Sequence, residues 1–258
     1  MPHTSATPQV IVVVPTYNER ENIGPLIEQI LAYGYQVLVV DDGSPDGTGE
    51  VADAVAARFP GRVSVLHRTG SRGLGRSYVE AFKAALASKP DLVCQMDADF
   101  SHDPRYLPDL VNAAAGHDLV VGSRYVHGIS VVNWPLRRLV LSTLANRYIR
   151  AISRLRIRDC TGGFRCWRAD ALARIPLDRI ASDGYAFMVE MVFEANRRGC
   201  RITEVPIVFV ERREGSSKLS GAVLLESLLM PWRLRARALF RIGVRTDAPR
   251  TAPQDRRA

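Results

Sequence analysis

Two aspartates one residue apart, Asp97 and Asp99, stand at the end of an apolar run, Asp91-Leu-Val-Cys-Gln-Met96, and open the segment Met96-Asp-Ala-Asp-Phe-Ser-His-Asp-Pro104. A buried strand ending in Asp-x-Asp places two carboxylates near the carboxyl edge of an α/β sheet, where a divalent cation can bridge them to a substrate's phosphates. Alternate side chains of an ideal strand point to opposite faces, but at a strand-to-loop junction the chain turns and both can face one ion, directly or through water. This is the chemistry of an enzyme that handles an activated, phosphate-linked group. Asn18 and Glu19 follow an earlier apolar run, as do Asp41 and Asp42. Carboxylates there can accept hydrogen bonds from a nucleobase N–H or from ribose hydroxyls, while Asp46 and Thr48 are suited to capping the next helix. Arg124, Arg212, Arg213 and Lys218 stand at further loop junctions. Arginine's planar fork and lysine's point charge suit phosphate, so these residues could neutralise a departing diphosphate or grip a phosphate acceptor. His102 fits a ligand role and a backbone-bonded loop role equally. No G-x-G-x-x-G follows the first strand and no G-x-x-x-x-G-K occurs, which favours carboxylates plus a metal over a glycine-rich phosphate cradle.

These side chains need a scaffold that brings strand ends together. Val10-Ile-Val-Val-Val14 is a continuous β-branched run, the signature of a central parallel strand covered on both faces. A helix to about residue 33, a strand over 36–40, a Gly- and Asp-rich turn over 41–49 and a helix over 50–58 follow. The pattern then predicts a strand over 62–67, a loop to 75, a helix over 76–88, and strands over 92–96 and 118–122. Strands alternating with helices imply an α/β fold, a Rossmann-like doubly wound and mostly parallel sheet with right-handed crossovers. Beyond about residue 128 the regularity falls. Residues 136–155 read as a long amphipathic helix, 161–163 as a turn, 184–198 as a helix and 201–210 as an edge or return strand. A polar loop over 215–221, a helix over 224–242 broken near Met230-Pro231, and a flexible tail over 245–258 complete the expectation.

A chain of 258 residues, 47% hydrophobic and 24% charged, can bury one substantial core. It has no stretch of the ~18 to 20 apolar residues that a membrane span requires, and residues 1–9 carry no secretory signal pattern. Cys94, Cys160, Cys166 and Cys200 form no C-x-x-C pair and read as reduced thiols, with Cys94 in a strand core. The net charge of +8 is uneven: residues 137–158 hold seven arginines and no acid, and 231–258 hold eight arginines against Asp247 and Asp255. A body of modest negative charge thus carries two basic regions, which suits an anionic surface or a phosphate-bearing partner. Nucleic acid is not an expected partner, since there is no zinc pattern, RNP string or basic-aromatic interleaving.

Taken in order, Val14-Pro-Thr-Tyr-Asn-Glu19, Val40-Asp-Asp-Gly-Ser-Pro-Asp-Gly-Thr48, Gly73-Leu-Gly75, the 96–104 segment, Gly122-Ser-Arg-Tyr125, Thr161-Gly-Gly-Phe-Arg165, Gly184-Tyr-Ala-Phe187, Glu204-Val-Pro-Ile207 and Gly215-Ser-Ser-Lys-Leu219 carry a resemblance. The chain resembles dolichol-phosphate mannosyltransferases and their bacterial polyprenyl-phosphate relatives, within the family 2 glycosyltransferases of GT-A fold. The resemblance implies one GT-A domain over 8–244, with a nucleotide-sugar half at about 8–128 and an acceptor and membrane-facing half at about 129–244. It implies GDP-mannose as donor, Mg²⁺ or Mn²⁺ as cofactor and a polyprenyl phosphate as acceptor, with inversion at the anomeric carbon. Carried over by position, Pro15, Tyr17, Glu19 and Asp42 touch the nucleoside with Asp41 adjoining, Asp97 and Asp99 hold the metal, and Arg124, Arg212 and Lys218 contact phosphates. Ser101 stands where some relatives have Gln; its shorter side chain points to contact with the ion through water. The two mixed apolar and arginine helices, 136–155 and 224–242, would lie peripherally at the cytoplasmic face of the cell membrane or dock on a membrane protein. A UDP-glucose-dependent polyprenyl-phosphate glucosyltransferase fits the same residues. A non-catalytic binding protein is disfavoured by the retained Asp97 and Asp99.

Overall fold

The Val10-Ile-Val-Val-Val14 run forms the greater part of β1 (Val10–Thr16), and each of its side chains is buried because strands flank it on both edges and helices cover both faces. The computed structural model describes residues 7–211 and 229–237. After β1 come α1 (Arg20–Ala32), β2 (Gln36–Asp41), α2 (Thr48–Arg58), β3 (Val63–His67), α3 (Leu74–Ala87), β4 (Leu92–Gln95), α4 (Leu107–Ala113) and β5 (Leu119–Ser123). The second half holds β6 (Val131–Val132), α5 (Leu136–Ser153), β7 (Arg165–Arg168), α6 (Ala169–Ala173), α7 (Gly184–Arg197), β8 (Ile202–Pro206) and β9 (Phe209–Val210). Residues 229–237 are helical.

The main sheet runs β3-β2-β1-β4-β7-β5-β8, and every neighbouring pair is parallel except those made by β7. Alternate side chains feed two cores. Val13, Val40 and Val93 join α3 and α7 on one face, and Val12, Val14 and Val39 join α1 and α4 on the other. The expected doubly wound α/β sheet is therefore present.

Two expectations are corrected. Between β4 and β5 lies β7, antiparallel to both, where the sequence pattern gives no strand. Its string Arg-Cys-Trp-Arg lacks an apolar run because Arg165 is itself buried, its guanidinium donating to the carbonyls of Gly162, Met188 and Cys160 at 2.9, 2.9 and 3.1 Å. The single strand expected over 201–210 divides after Pro206: β8 pairs with β5 at the sheet edge, and β9 pairs with β6 in a small separate ribbon. Of the helix expected over 224–242, residues 229–237 are described and are helical, with Met230 and Leu234 packed into the core, and the rest lies outside the described residues.

Candidate active site

Because β2, β1 and β4 are adjacent and parallel, their carboxyl ends open on one edge of the sheet. A cavity of about 400 Å³ lies there, lined by Pro15, Tyr17 and Glu19 at the end of β1, Asp42 after β2, and Asp97 and Asp99 after β4. Leu74 and Ser77 of α3 and Gly184, Tyr185 and Met188 of α7 complete its wall. The structure thus brings together six of the residues expected from sequence.

Asp41 and Asp42 divide their work. Asp41 is buried and closes its own turn, with Oδ1 accepting from the Ser44 hydroxyl at 2.5 Å and Oδ2 from the Ser44 N–H at 3.2 Å. It does not line the cavity. Asp42 does, but it also pairs with the buried Arg68 and accepts from the Gly73 N–H at 2.9 Å. Asn18 takes a left-handed backbone, φ 60°, and donates its N–H to Ser44 at 3.1 Å, which turns the chain sharply out of β1. Gly47, not Asp46 or Thr48, takes the cap position of α2; Asp46 Oδ1 accepts from the Thr48 N–H at 3.0 Å and the Thr48 hydroxyl at 2.6 Å across the turn, and Thr48 Oγ1 accepts from the Glu19 N–H at 2.9 Å, tying the turn to the start of α1. Arg72 lies over the Tyr17 ring at 4.7 Å and donates to its hydroxyl.

At the Asp-x-Asp segment the chain folds back on itself. Phe100 adopts φ 59°, which lets Ser101 place both its N–H and its hydroxyl on Asp99 Oδ1, at 3.0 and 2.6 Å. Ser101 is therefore buried as a clamp on Asp99. His102 is the backbone-bonded loop residue: its Nδ1 accepts the Asp97 N–H at 3.0 Å, so the ring proton resides on Nε2. Burial lowers the pKa of the ring, which stacks on Phe164 at 5.1 Å and is held neutral.

A second cavity of about 180 Å³ shares Asp97, Thr161, Gly163 and Tyr185 with the first. Its surface is mainly apolar, from Leu141, Ala145 and Ile149 of α5, Val189 of α7, Phe209 and Met230, and Arg124, Arg138, Ser142 and His102 add polar groups to the shared Asp97 and Thr161. Arg124, expected as a phosphate contact, lines this cavity and is buried and paired. Its Nε and Nη2 donate to Asp159 at 2.7 Å each, Nη2 also reaches Thr161 at 2.8 Å, and Trp134, Phe209 and Tyr125 surround it. Burial by itself would raise the Asp159 carboxyl, but the Arg124 charge and hydrogen bonds outweigh it and hold the group below the ordinary carboxylate range. Arg138 pairs with Glu211 and stacks on Trp134 at 4.3 Å.

Asp159 and Ser142 are site residues that sequence reasoning missed, and Thr161 and Tyr185 stand in the sequence reading only within motif strings, without a role. Asp159 does leave a signal, as the first acid after the seven arginines of 137–158. Arg212, Arg213 and Lys218 lie outside the described residues.

Comparison with known proteins shows the family and the fold. The family profile described as Glycosyl transferase family 2 matches residues 11–175. A polyprenol monophosphomannose synthase of Mycolicibacterium smegmatis is 44% identical over 236 residues, which span 90% of this chain and 89% of the relative. An undecaprenyl-phosphate mannosyltransferase of Micrococcus luteus is 46% identical over 233 residues, 89% of this chain and 96% of the relative. In fold, the chain is similar to the crystal structure of glucosyl-3-phosphoglycerate synthase from Mycobacterium tuberculosis in complex with Mn²⁺, UDP and glucosyl-3-phosphoglycerate. The TM-score is 0.63 at 19% identity, over 92% of this chain and 81% of that one.

Proposed function

The chain belongs to glycosyl transferase family 2, and from that premise we propose that it transfers mannose from GDP-mannose to a polyprenyl phosphate, giving polyprenyl-phosphate mannose and GDP with inversion at the anomeric carbon. The observation that carries the reading is the common wall of the two cavities: Asp97, Thr161, Gly163 and Tyr185 face both an acid-lined cleft at the strand ends and an apolar groove bearing Arg124, Arg138 and Ser142. A sugar nucleotide suits the first and a lipid phosphate the second, so the reacting atoms meet at that wall. The names of the two curated relatives support the same donor sugar and acceptor class.

The acceptor needs little activation. A phosphate monoester has its second pKa at about 6, so its oxygen is already a nucleophile near neutral pH and no side chain must remove a proton. His102, with Nδ1 occupied by the Asp97 N–H, is not arranged as a base for this step. The chain's contribution is alignment: Arg124, Arg138 and Ser142 grip the phosphate, and the cleft holds the nucleoside through Pro15, Tyr17, Glu19 and Asp42.

Asp97 and Asp99 fit a divalent ion, Mg²⁺ or Mn²⁺. Among the described residues no group of three or more His, Cys, Asp or Glu could enclose a metal by itself. Two carboxylates suffice for a hard cation that keeps waters and takes phosphate oxygens of its substrate as ligands. When bound, the ion offsets charge on the departing diphosphate. Ser101 serves by fixing Asp99. Arg212 and Lys218 belong to the same proposal as phosphate contacts. The division into a nucleotide-sugar half, 8–128, and an acceptor half, 129–244, belongs to the same proposal, although each cavity draws residues from both halves, and we place the protein peripherally at the cytoplasmic face of the membrane.

The test is a donor panel with polyprenyl phosphate, in Mn²⁺, Mg²⁺ or chelator, scored by organic-extractable sugar. GDP-mannose is expected to give product only with metal. Asp99→Asn is expected to lower turnover at least about 100-fold with an unchanged melting temperature. Product from UDP-glucose alone would transfer the assignment to a glucosyltransferase.

A further inference from the structure

The glycine turn Gly73-Leu-Gly75 opens α3, and the loop that precedes α7 lies directly on it. Asp183 Oδ1 accepts from the Gly75 N–H at 2.6 Å and from the Gly184 N–H at 2.8 Å, so one carboxylate caps the N-termini of two helices. The glycines are what permit this approach. A Cβ on Gly73 would collide with Asp183 Oδ2, and one on Gly75 would lie 2.5 Å from the Ser182 carbonyl oxygen. The loop is anchored from behind by the buried Glu190, whose Oε2 accepts from the Ala181 and Ser182 N–H groups at 3.3 and 3.0 Å. On the other side of the turn, the Gly73 N–H donates to Asp42 at 2.9 Å. A continuous series of contacts thus runs from Asp42 in the first cavity, through the glycine turn, to Asp183 beside Tyr185, which lines both cavities.

We propose that Asp183 is a positioning residue for donor binding: it fastens the glycine turn to α7 and thereby sets Asp42 and Leu74 on one side of the cleft and Tyr185 on the other. The proposal rests on reading the first cavity as the sugar-nucleotide site. An ordinary helix cap has a different consequence, since its removal costs stability and leaves ligand affinity alone.

The experiment titrates GDP-mannose and UDP-glucose in Mn²⁺ by calorimetry, with thermal melts and steady-state kinetics, on the wild type, Asp183→Ala, Asp183→Asn, Gly73→Ala and the Gly73→Ala/Asp183→Ala double variant. Asp183→Ala is expected to weaken donor binding about 10-fold and raise donor KM in proportion, with kcat within about 2-fold. Asp183→Asn keeps an acceptor oxygen and is expected to stay within about 3-fold of wild type. Gly73→Ala is expected to weaken binding too, because its methyl group meets the carboxylate. In the double variant the collision is gone, so the loss falls short of the product of the two single losses. Unchanged donor affinity in Asp183→Ala, even with a lower melting temperature, overturns the assignment, as does a double variant whose loss equals that product. A wild type that binds neither nucleotide sugar overturns the function reading itself and this assignment with it.

Discussion

At Arg124 the guanidinium is fixed before any ligand arrives. Asp159 takes two of its nitrogens and Thr161 bonds one of them as well, so the group lines the second cavity in one orientation. Burial by itself would discharge both partners, and their mutual attraction keeps both charged. Such preorganisation is useful where a phosphate must be gripped without a rearrangement cost. Asp159 is held in turn from β8, where Glu204 accepts the Arg158 and Asp159 N–H groups at 2.7 and 2.9 Å. Asp159→Ala would leave a buried cation without its partner, so it is expected to destabilise the fold by about 3–5 kcal/mol in a denaturant titration. A loss below about 1 kcal/mol would mean that the pair behaves as a hydrated surface bridge.

The elements around the site make their own predictions. Asp118, at the head of β5, accepts from Arg201 through its N–H at 2.8 Å and its side chain at 3.2 and 3.3 Å, joining β5 to the edge strand β8. The Arg201 hydrogen bonds outweigh burial and depress the Asp118 carboxyl. Its folded pKa lies below the unfolded value of about 4, so its stabilisation is present above about pH 4 and is lost as pH falls through the folded value. Asp118→Asn should therefore flatten the acid limb of the stability curve below about pH 4. Parallel curves for the variant and the wild type would remove Asp118 from the acid response. On α5, Ala145 lines the apolar groove. Ala145→Phe is expected to raise the KM for polyprenyl phosphate about 10-fold or more while donor KM holds. Equal effects on both substrates would contradict a separate acceptor groove.

The sequence exposes the cleft more readily than the groove, for a physical reason. Asp97, Asp99 and Asp42 each follow an apolar run, and parallel strands must end on the same edge, so local spacing suffices to place them together. The groove is assembled from residues near 124, 134–149, 161–163, 185–189 and 209, which no single spacing links. Strand β7 is hidden because its arginine at 165 is satisfied by three carbonyl oxygens inside the protein, while an arginine in a string is read as surface.

At the scale of the whole molecule, apolar surface and positive charge coincide. Leu136, Val140 and Leu144 recur every four residues along α5 and are 74%, 48% and 56% exposed, while Asn146, Ile149 and Ser153 face inward. The helix over 229–237 docks beside α5, with Trp232, itself 58% exposed, donating from Nε1 to the Tyr148 hydroxyl at 3.0 Å. Among the described residues no helix is long and apolar enough to cross a bilayer. A helix that turns leucines outward beside arginines instead suits the headgroup boundary. The same α5 contributes Leu141 and Ala145 to the groove, so a lipid-phosphate chain can pass from the bilayer to the site along one helix. Burying one leucine is worth about 1.5–3 kcal/mol, so a Leu136→Glu/Leu144→Glu variant is expected to bind anionic vesicles at least about 10-fold more weakly in a flotation assay. Neither leucine lines the cleft or the groove, and turnover of a short-chain, water-soluble polyprenyl phosphate should stay within about 2-fold of wild type. Raising the salt concentration should weaken the wild type's vesicle binding through its arginine component. Vesicle binding that survives the double substitution would place the membrane contact on another face of the protein.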